Sequence, residues 1–101
     1  MNNNVIIFVY NQTGSYCTDP YDGDIIYDMI YKGLTNEKKV TLSFASVVII
    51  IPAFLNHAIG QLYRDFEIDV IRKNFNIFSL PEGYEELVGR VINNAKKFYG
   101  V

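Results

Sequence analysis

The sequence predicts a layered α/β domain whose strands and helices follow the order βαββαβα. Three observations lead to this fold class. Short apolar runs rich in β-branched residues recur along the chain, stretches with helical apolar spacing separate them, and helix start signals follow the runs. The pattern corresponds to one sheet of about four strands with three to four helices packed on it.

The first third of the chain predicts a strand, a loop and a capped helix. The run from Val5 to Tyr10 is apolar throughout, so we place it in the interior of the sheet. Residues 11–19 are mostly small or polar, which is typical of a loop. Asp19 followed by Pro20 is a helix start signal, and the helix should end between residues 33 and 36.

The stretch 39–66 is the one around which the rest of the chain is organised. Apolar and polar residues alternate over 40–44, which predicts a strand buried on one face. Residues 47–51 form an unbroken apolar run, which predicts a strand buried on both faces. Pro52 suits the first position of a helix. The apolar stripe of that helix consists of Leu55, Ala58, Ile59, Leu62 and Phe66.

The last third predicts one more strand and a final helix. Residues 67–74 fit a short strand or a helical turn equally well, and residues 75–80 alternate as a strand does. Ser79 and Glu82 bracket Pro81 in the arrangement of a capping box, so the final helix should begin there. Gly100 is a typical stop signal.

Composition limits the classes of function. A length of 101 residues, half of them hydrophobic, fits one folded domain spanning 1–101. The net charge is −2 and the basic residues are scattered, which argues against direct binding of nucleic acid. The longest apolar run is too short to span a bilayer, no leader precedes the first strand, and a single cysteine forms no internal disulfide. We expect a cytoplasmic protein without membrane association.

Few residues are candidates for catalysis or metal binding. Cys17 and His57 form the one combination of a nucleophile and a base, and nothing at a telling spacing would activate or orient them. The acidic residues, the cysteine and the histidine provide no closely spaced set of metal ligands. We therefore predict no catalytic residues, no metal site and no cofactor.

One alternative is a small-ligand site. Thr13, Gly14 and Ser15 follow the first strand, like the loop by which flavodoxin-like proteins hold a phosphate. A nucleotide or a flavin could bind there. Two features weaken this hypothesis, because Pro20 delays the helix that should face the phosphate and the chain is short for a five-stranded flavodoxin sheet.

A second alternative is a protein-docking site at the start of the central helix. Ile51 occupies the position where a side chain normally accepts hydrogen bonds from the first-turn amides. Water, another loop, a ligand or a partner must then satisfy these amides. Tyrosines are concentrated in the first third of the chain, and they suit either an interface or the edge of the core. They are Tyr10, Tyr16, Tyr21, Tyr27 and Tyr31.

The same region carries a family resemblance. A glycine leads a helix, a strand of the type V-x-L-x-F follows, and a helix with a central glycine comes next. The residues that match are Gly23, Val40, Leu42, Phe44, Val47, Phe54, Gly60 and Leu62. This arrangement resembles the STAS-like family known as DUF4325, a relative of the anti-sigma-factor antagonists. The resemblance implies a non-enzymatic bacterial or phage module that binds a protein partner of the ATPase or kinase type through the start of the central helix.

The chain departs from the antagonist pattern at the helix start. Ala53 stands where the antagonists carry a phosphorylatable serine, and Ser43 stands where the family often has an aspartate. A phosphate switch at position 53 is therefore chemically excluded. The resemblance implies a docking surface made of Pro52, Ala53, Phe54, Asn56, His57 and Tyr16, with Phe54 exposed at its rim. A homo-oligomer that pairs surplus apolar surface is a third hypothesis.

Overall fold

The computed structural model describes residues 3–101. Its strands are β1 (Asn4–Phe8), β2 (Tyr16–Cys17), β3 (Lys39–Ser43), β4 (Ile49–Ile50) and β5 (Phe75–Phe78). Its helices are α1 (Val9–Thr13), α2 (Pro20–Thr35), α3 (Pro52–Leu55), α4 (Leu62–Asp65), α5 (Ile68–Asn74) and α6 (Glu85–Tyr99). A π-helical turn (Asn56–Gly60) connects α3 to Gln61 and α4, and we call the stretch from Pro52 to Asp65 the central helix.

The strands form two parallel sheets rather than the single sheet expected. The larger sheet has the order β1-β3-β5, and the smaller one pairs β2 with β4. The expectation for residues 47–51 is therefore wrong. Only Ile49 and Ile50 pair, and Val48 and Ile49 are exposed. A parallel connection from β3 straight to β4 would need a crossover, and the few residues between them are too short for one.

The larger sheet places β1 at an edge, which corrects its predicted position in the interior. β1 ends at Phe8, and α1 follows where more strand and a loop were expected. Alternate residues face opposite sides of a strand. Ile7, Val40 and Leu42 therefore point into the core and are almost fully buried. Val40, Leu42 and Phe44 are buried as predicted, and Ser43 on the opposite face of the strand is buried as well.

Helix packing explains which side of the larger sheet is covered. α2 contacts β1 and β3, and α5 contacts β3 and β5. A Cβ at Gly33 would lie 2.5 Å from Cγ2 of Val40, so the two elements pack without space for a side chain. Crossovers between parallel strands are right-handed. Two such crossovers that step across the sheet in the same direction put their helices on the same face.

The helix boundaries agree with several of the predicted signals. α2 begins at Pro20 with Asp19 as its cap, and the Asp19 carboxylate accepts a hydrogen bond from the Tyr21 amide at 2.9 Å. Residues 67–74 prove to be largely helical, which settles the ambiguity in favour of α5. The capping box at Ser79 is not used, because Gly83 has φ +90° in a turn and α6 begins only at Glu85.

Candidate functional site

The small sheet creates an exposed apolar pair. Tyr16 lies opposite Ile49 and Cys17 lies opposite Ile50 in the register of β2 and β4. Paired residues in a parallel ladder share a face. Cys17 and Ile50 point into the core, whereas Tyr16 and Ile49 are 60% and 39% exposed. Two apolar side chains thus stand next to each other in solvent.

The same small sheet brings two helix starts together. The Cys17 carbonyl accepts a hydrogen bond from the Ile51 amide at 3.0 Å, just before α3 begins at Pro52. α2 begins at Pro20, a short way after Cys17. Because β2 and β4 are parallel neighbours, the helices that follow them start close together. Both starts are led by a proline, which fits the first helical position.

A glycine allows these two helices to approach closely. A Cβ at Gly23 would lie 2.7 Å from the Phe54 carbonyl oxygen and 2.9 Å from Cβ of His57. No side chain fits at that distance from a backbone oxygen, so position 23 must be glycine for α2 and the central helix to pack as they do. The resemblance identified Gly23 as a matching residue, and the structure supplies its physical reason.

Phe54 does not belong to an exposed rim, contrary to expectation. Its side chain is fully buried in the core, among the largest of the fully buried residues. α3 packs against α2 and α6, and the stripe of the central helix faces inward from its first turn onward. A partner could not contact Phe54 without unfolding the helix, so this residue is removed from the docking surface.

The first-turn amides of the central helix are also less available than expected. Ile51 supplies no side-chain cap, as predicted. The Ile51 carbonyl, however, accepts hydrogen bonds from the amides of Phe54 at 3.1 Å and Leu55 at 3.4 Å. Pro52 has no amide hydrogen. The helix start is therefore satisfied mainly from within the chain.

The remaining predicted docking residues lie at the surface. Pro52 and Asn56 are exposed, and Ala53 and His57 are partly buried. Nδ1 of His57 lies 2.8 Å from Oδ1 of Asp24 on α2.

A glutamine completes this polar link between the helices. The Gln61 side chain donates to the Asp24 carboxylate at 3.3 Å and to the His57 carbonyl at 2.9 Å. These groups line a shallow polar cleft of about 310 Å³. The cleft can offer hydrogen bonds to a polar ligand or to the rim of a protein interface.

A second polar link joins α2 to α4. The Tyr27 hydroxyl donates a hydrogen bond to the Asp65 carboxylate. Arg64 donates two hydrogen bonds to the same carboxylate, both at 2.8 Å. The hydrogen bond from Arg64 is the main cause that lowers the pKa of Asp65, and burial is the main cause that raises the pKa of Tyr27. Asp65 therefore holds its negative charge between two donors.

The segment Thr13 to Ser15, which begins at the last residue of α1, forms hydrogen bonds within the fold. The Thr13 hydroxyl contacts the Gly14 carbonyl at 2.9 Å and the Cys17 sulfur at 3.4 Å. The Ser15 carbonyl accepts hydrogen bonds from the Val48 and Ile49 amides. The segment predicted as a phosphate loop thus bonds to its own neighbours, and nothing in its geometry favours a nucleotide or a flavin.

Cys17 and His57 occupy different environments. Cys17 is fully buried, and its burial raises the pKa of the thiol, which disfavours the reactive thiolate. His57 lies at the helix surface beside Asp24. Within residues 3–101, no group of three His, Cys, Asp or Glu side chains is placed to hold a metal ion. No helix of this part of the chain is both long and apolar enough to cross a membrane.

Sequence reasoning missed two parts of this surface. Ile49 was assigned to a fully buried strand, and no sequence signal indicates that β4 pairs only with β2. The π-helical turn at 56–60, which carries Asn56 and His57, was missed as well. Such turns inside helices are frequent at functional sites. No role was predicted for Asp24 or Gln61.

Comparison with known proteins gives one finding. A family model described as a STAS-like domain of unknown function, DUF4325, matches residues 22–85, which is more than half of the chain. The match begins within the first turn of α2 and covers β3, β4, the central helix, α5 and β5. No curated protein and no solved structure matches the chain.

Proposed function

Because this chain belongs to the STAS-like domain family DUF4325, we propose that it is a non-enzymatic regulatory module that binds a protein partner. The partner contacts the exposed side of the two neighbouring helix starts. The observation that carries this proposal is the solvent-exposed pair Tyr16 and Ile49, which stands beside those starts. Exposed aromatic and aliphatic side chains of this kind anchor protein interfaces.

The docking surface differs from the one expected from sequence in its apolar anchor. Tyr16 and Ile49 replace the buried Phe54 as the apolar centre. Pro52 and Ala53 continue the surface along the first turn of the central helix. Asn56 and His57, one turn further, supply polar groups at its rim. An apolar centre with a polar rim is the usual organisation of a protein interface.

Regulation at the helix start differs from that of the anti-sigma-factor antagonists. Ala53 has no hydroxyl group, so phosphorylation at this position is chemically excluded. We infer that binding is constitutive or is controlled elsewhere. A partner of the ATPase or kinase type is the first class to test, because the resemblance to the antagonists implies it.

The experiment is quantitative affinity capture from the cells that produce the protein. The test variant carries Tyr16→Asp and Ile49→Asp, which place two charges in the apolar centre. We expect it to lose at least about nine-tenths of the captured partner, because desolvating unpaired charges in an interface is costly. Circular dichroism and a thermal melt verify that the variant is folded.

A matched control lies in the second half of α2, away from the docking surface. Met29 is 44% exposed and lines a cleft with Val5 and Lys38 at the amino-terminal ends of the strands, so Met29→Asp introduces a charge at a comparably open apolar position. This control should capture the partner as the wild type does. Undiminished capture by the Tyr16 and Ile49 variant would reject the proposed surface, and capture of no specific protein by the wild type would reject the proposed function.

A further inference from the structure

One face of the larger sheet lies in solvent although it carries large apolar side chains. The strand register aligns Ile6, Thr41 and Asn76 in one row and Phe8, Ser43 and Phe78 in the next. We call these six residues the open face. Ile6, Phe8 and Phe78 are 57%, 48% and 60% exposed. Parallel sheets are almost always covered on both faces, so an uncovered apolar face is unusual.

The topology explains why the chain itself leaves this face uncovered. Steps from β1 to β3 and from β3 to β5 run in the same direction across the sheet. Right-handed crossovers then place α2, the central helix and α5 on the side of Val40 and Leu42. A doubly wound sheet reverses direction and covers its second face in that way. The described part of this chain contains no such reversal.

The dimensions of the open face fit one helix. Three strands spaced about 4.8 Å apart and about five residues long cover a face of roughly 14 by 16 Å. A helix is about 10 Å wide and rises about 1.5 Å per residue, so about 11 residues would cover it. The footprint is roughly 220 Å², whereas a stable dimer buries about 800 Å² on each partner. The face is therefore too small to hold a second copy by itself.

The two ends of the open face, compared along the strand direction, carry different side chains. At the carboxyl ends, Phe8 and Phe78 flank Ser43, whose side chain is small and buried between them. The Ser43 hydroxyl accepts a hydrogen bond from the Ala45 amide, so its oxygen is already satisfied. The two exposed rings and the small side chain between them form an apolar patch at this end of the face.

The opposite end of the open face is positively charged. Lys39 begins β3 on the same side of the sheet as Thr41 and Ser43, and it is exposed. It is the one ionisable residue on this side of the described strands. The carboxyl terminus of a helix carries partial negative charge and pairs favourably with cations.

We propose that the open face binds one amphipathic helix of about three turns from a partner protein. A large apolar side chain of that helix packs against the exposed rings of Phe8 and Phe78, and its acidic carboxyl-terminal turn lies at Lys39. This surface is separate from the Tyr16 and Ile49 pair, so it gives the module a second, independent contact.

The probe is a synthetic, fluorescently labelled peptide of about 14 residues, long enough to cover the face. It carries leucines at helical spacing and glutamates in its last turn. A scrambled peptide of the same composition breaks the stripe, and a third peptide carries lysines in place of the glutamates. Anisotropy measures affinity for the purified full chain, and amide chemical shifts locate the contact.

The variants separate the contribution of the Phe8 and Phe78 rings to binding from that of the Lys39 charge. Phe8→Ser with Phe78→Ser should weaken binding at least about tenfold, since each ring loses burial of the order of 1 kcal/mol or more, and tenfold is 1.4 kcal/mol. Phe98→Ser is the matched control and should bind like the wild type. Lys39→Glu should weaken the glutamate peptide and strengthen the lysine peptide.

Several outcomes would overturn the proposal. They are equal binding of the scrambled peptide, amide shifts that avoid β1, β3 and β5, or a dimer in sedimentation that Phe8→Ser with Phe78→Ser converts to a monomer. Shift mapping on the wild type decides the matter even if the serine variants unfold. Tyr16→Asp with Ile49→Asp should leave peptide binding unchanged, which distinguishes failure here from failure of the proposed docking surface.

Discussion

In β1, the two faces of the larger sheet carry similar side chains in opposite surroundings. On one face Ile7, Val40 and Leu42 are almost completely buried under helices, whereas on the other Ile6 and Phe8 stand in solvent. Ile6 and Ile7 are adjacent residues of the same type in the same strand. Hydrophobicity alone therefore does not decide which face becomes core. The direction in which the crossovers step across the sheet decides it.

The largest expected effect is the difference in unfolding free energy between replacing a phenylalanine of the core and replacing one on the open face. Phe54→Ala removes a fully buried ring and leaves a cavity, which should lower the free energy of unfolding by about 3–5 kcal/mol. Phe78→Ala should change it by less than about 1 kcal/mol, since that ring is mostly in solvent. Urea denaturation followed by circular dichroism measures both. Equal losses would mean that the open face is covered by the protein itself.

Ile6 and Ile7 allow the stability cost of a substitution on each face to be compared within one strand. Ile7→Ala should cost about 2–4 kcal/mol, because it creates a cavity beneath α2. Ile6→Ala should cost at most about 0.5 kcal/mol, because it leaves only solvent behind. The same denaturation experiment tests the pair. A larger cost at Ile6 would reverse the assignment of the two faces.

The sequence predicts the elements better than their arrangement. The Asp19 cap, the Pro20 and Pro52 helix starts and the Gly100 stop are local signals, and each is found where it was expected. The separation into two sheets depends instead on long-range pairing between β2 and β4. A two-residue strand such as β2 has no periodicity by which the sequence could reveal it.

In the candidate site, too, local features could be predicted from the sequence, whereas features that depend on long-range packing could not. Ala53 rules out phosphorylation at position 53 from sequence alone, and Tyr16 is exposed. Phe54 was placed at the rim because it lies near an uncapped helix start. Its ring is buried because α3 packs against both α2 and α6, an arrangement that no local pattern encodes. Which side chain becomes the anchor therefore depends on helix packing.

Two glycine substitutions test how closely α2 packs against the central helix. Gly23→Ala places a Cβ against the Phe54 carbonyl oxygen and should destabilise the protein by about 1–3 kcal/mol. Gly89→Ala in α6 meets no atom within 4 Å and should stabilise it by about 0.5–1 kcal/mol, because alanine favours a helix interior. Thermal melts give the sign of each change. A stabilising Gly23→Ala would show that α2 and the central helix pack less closely than described.

The smallest expected effect concerns the polar link that Tyr27 and Arg64 form with Asp65. Asp65 has a lowered pKa, chiefly because Arg64 donates hydrogen bonds to its carboxylate, with Tyr27 as a further donor. A carboxyl whose folded pKa lies below its unfolded value stabilises the protein above the unfolded pKa and loses that contribution as the pH falls through the folded one. Melting temperatures recorded from pH 7 to pH 3 should therefore fall less steeply for Asp65→Asn than for the wild type. Asp69→Asn is the matched control, since Asp69 on α5 forms only an exposed 3.6 Å ion pair with Arg72, and its profile should follow the wild type. Parallel profiles for all three proteins would show that the Tyr27 and Arg64 hydrogen bonds do not hold the Asp65 charge in solution.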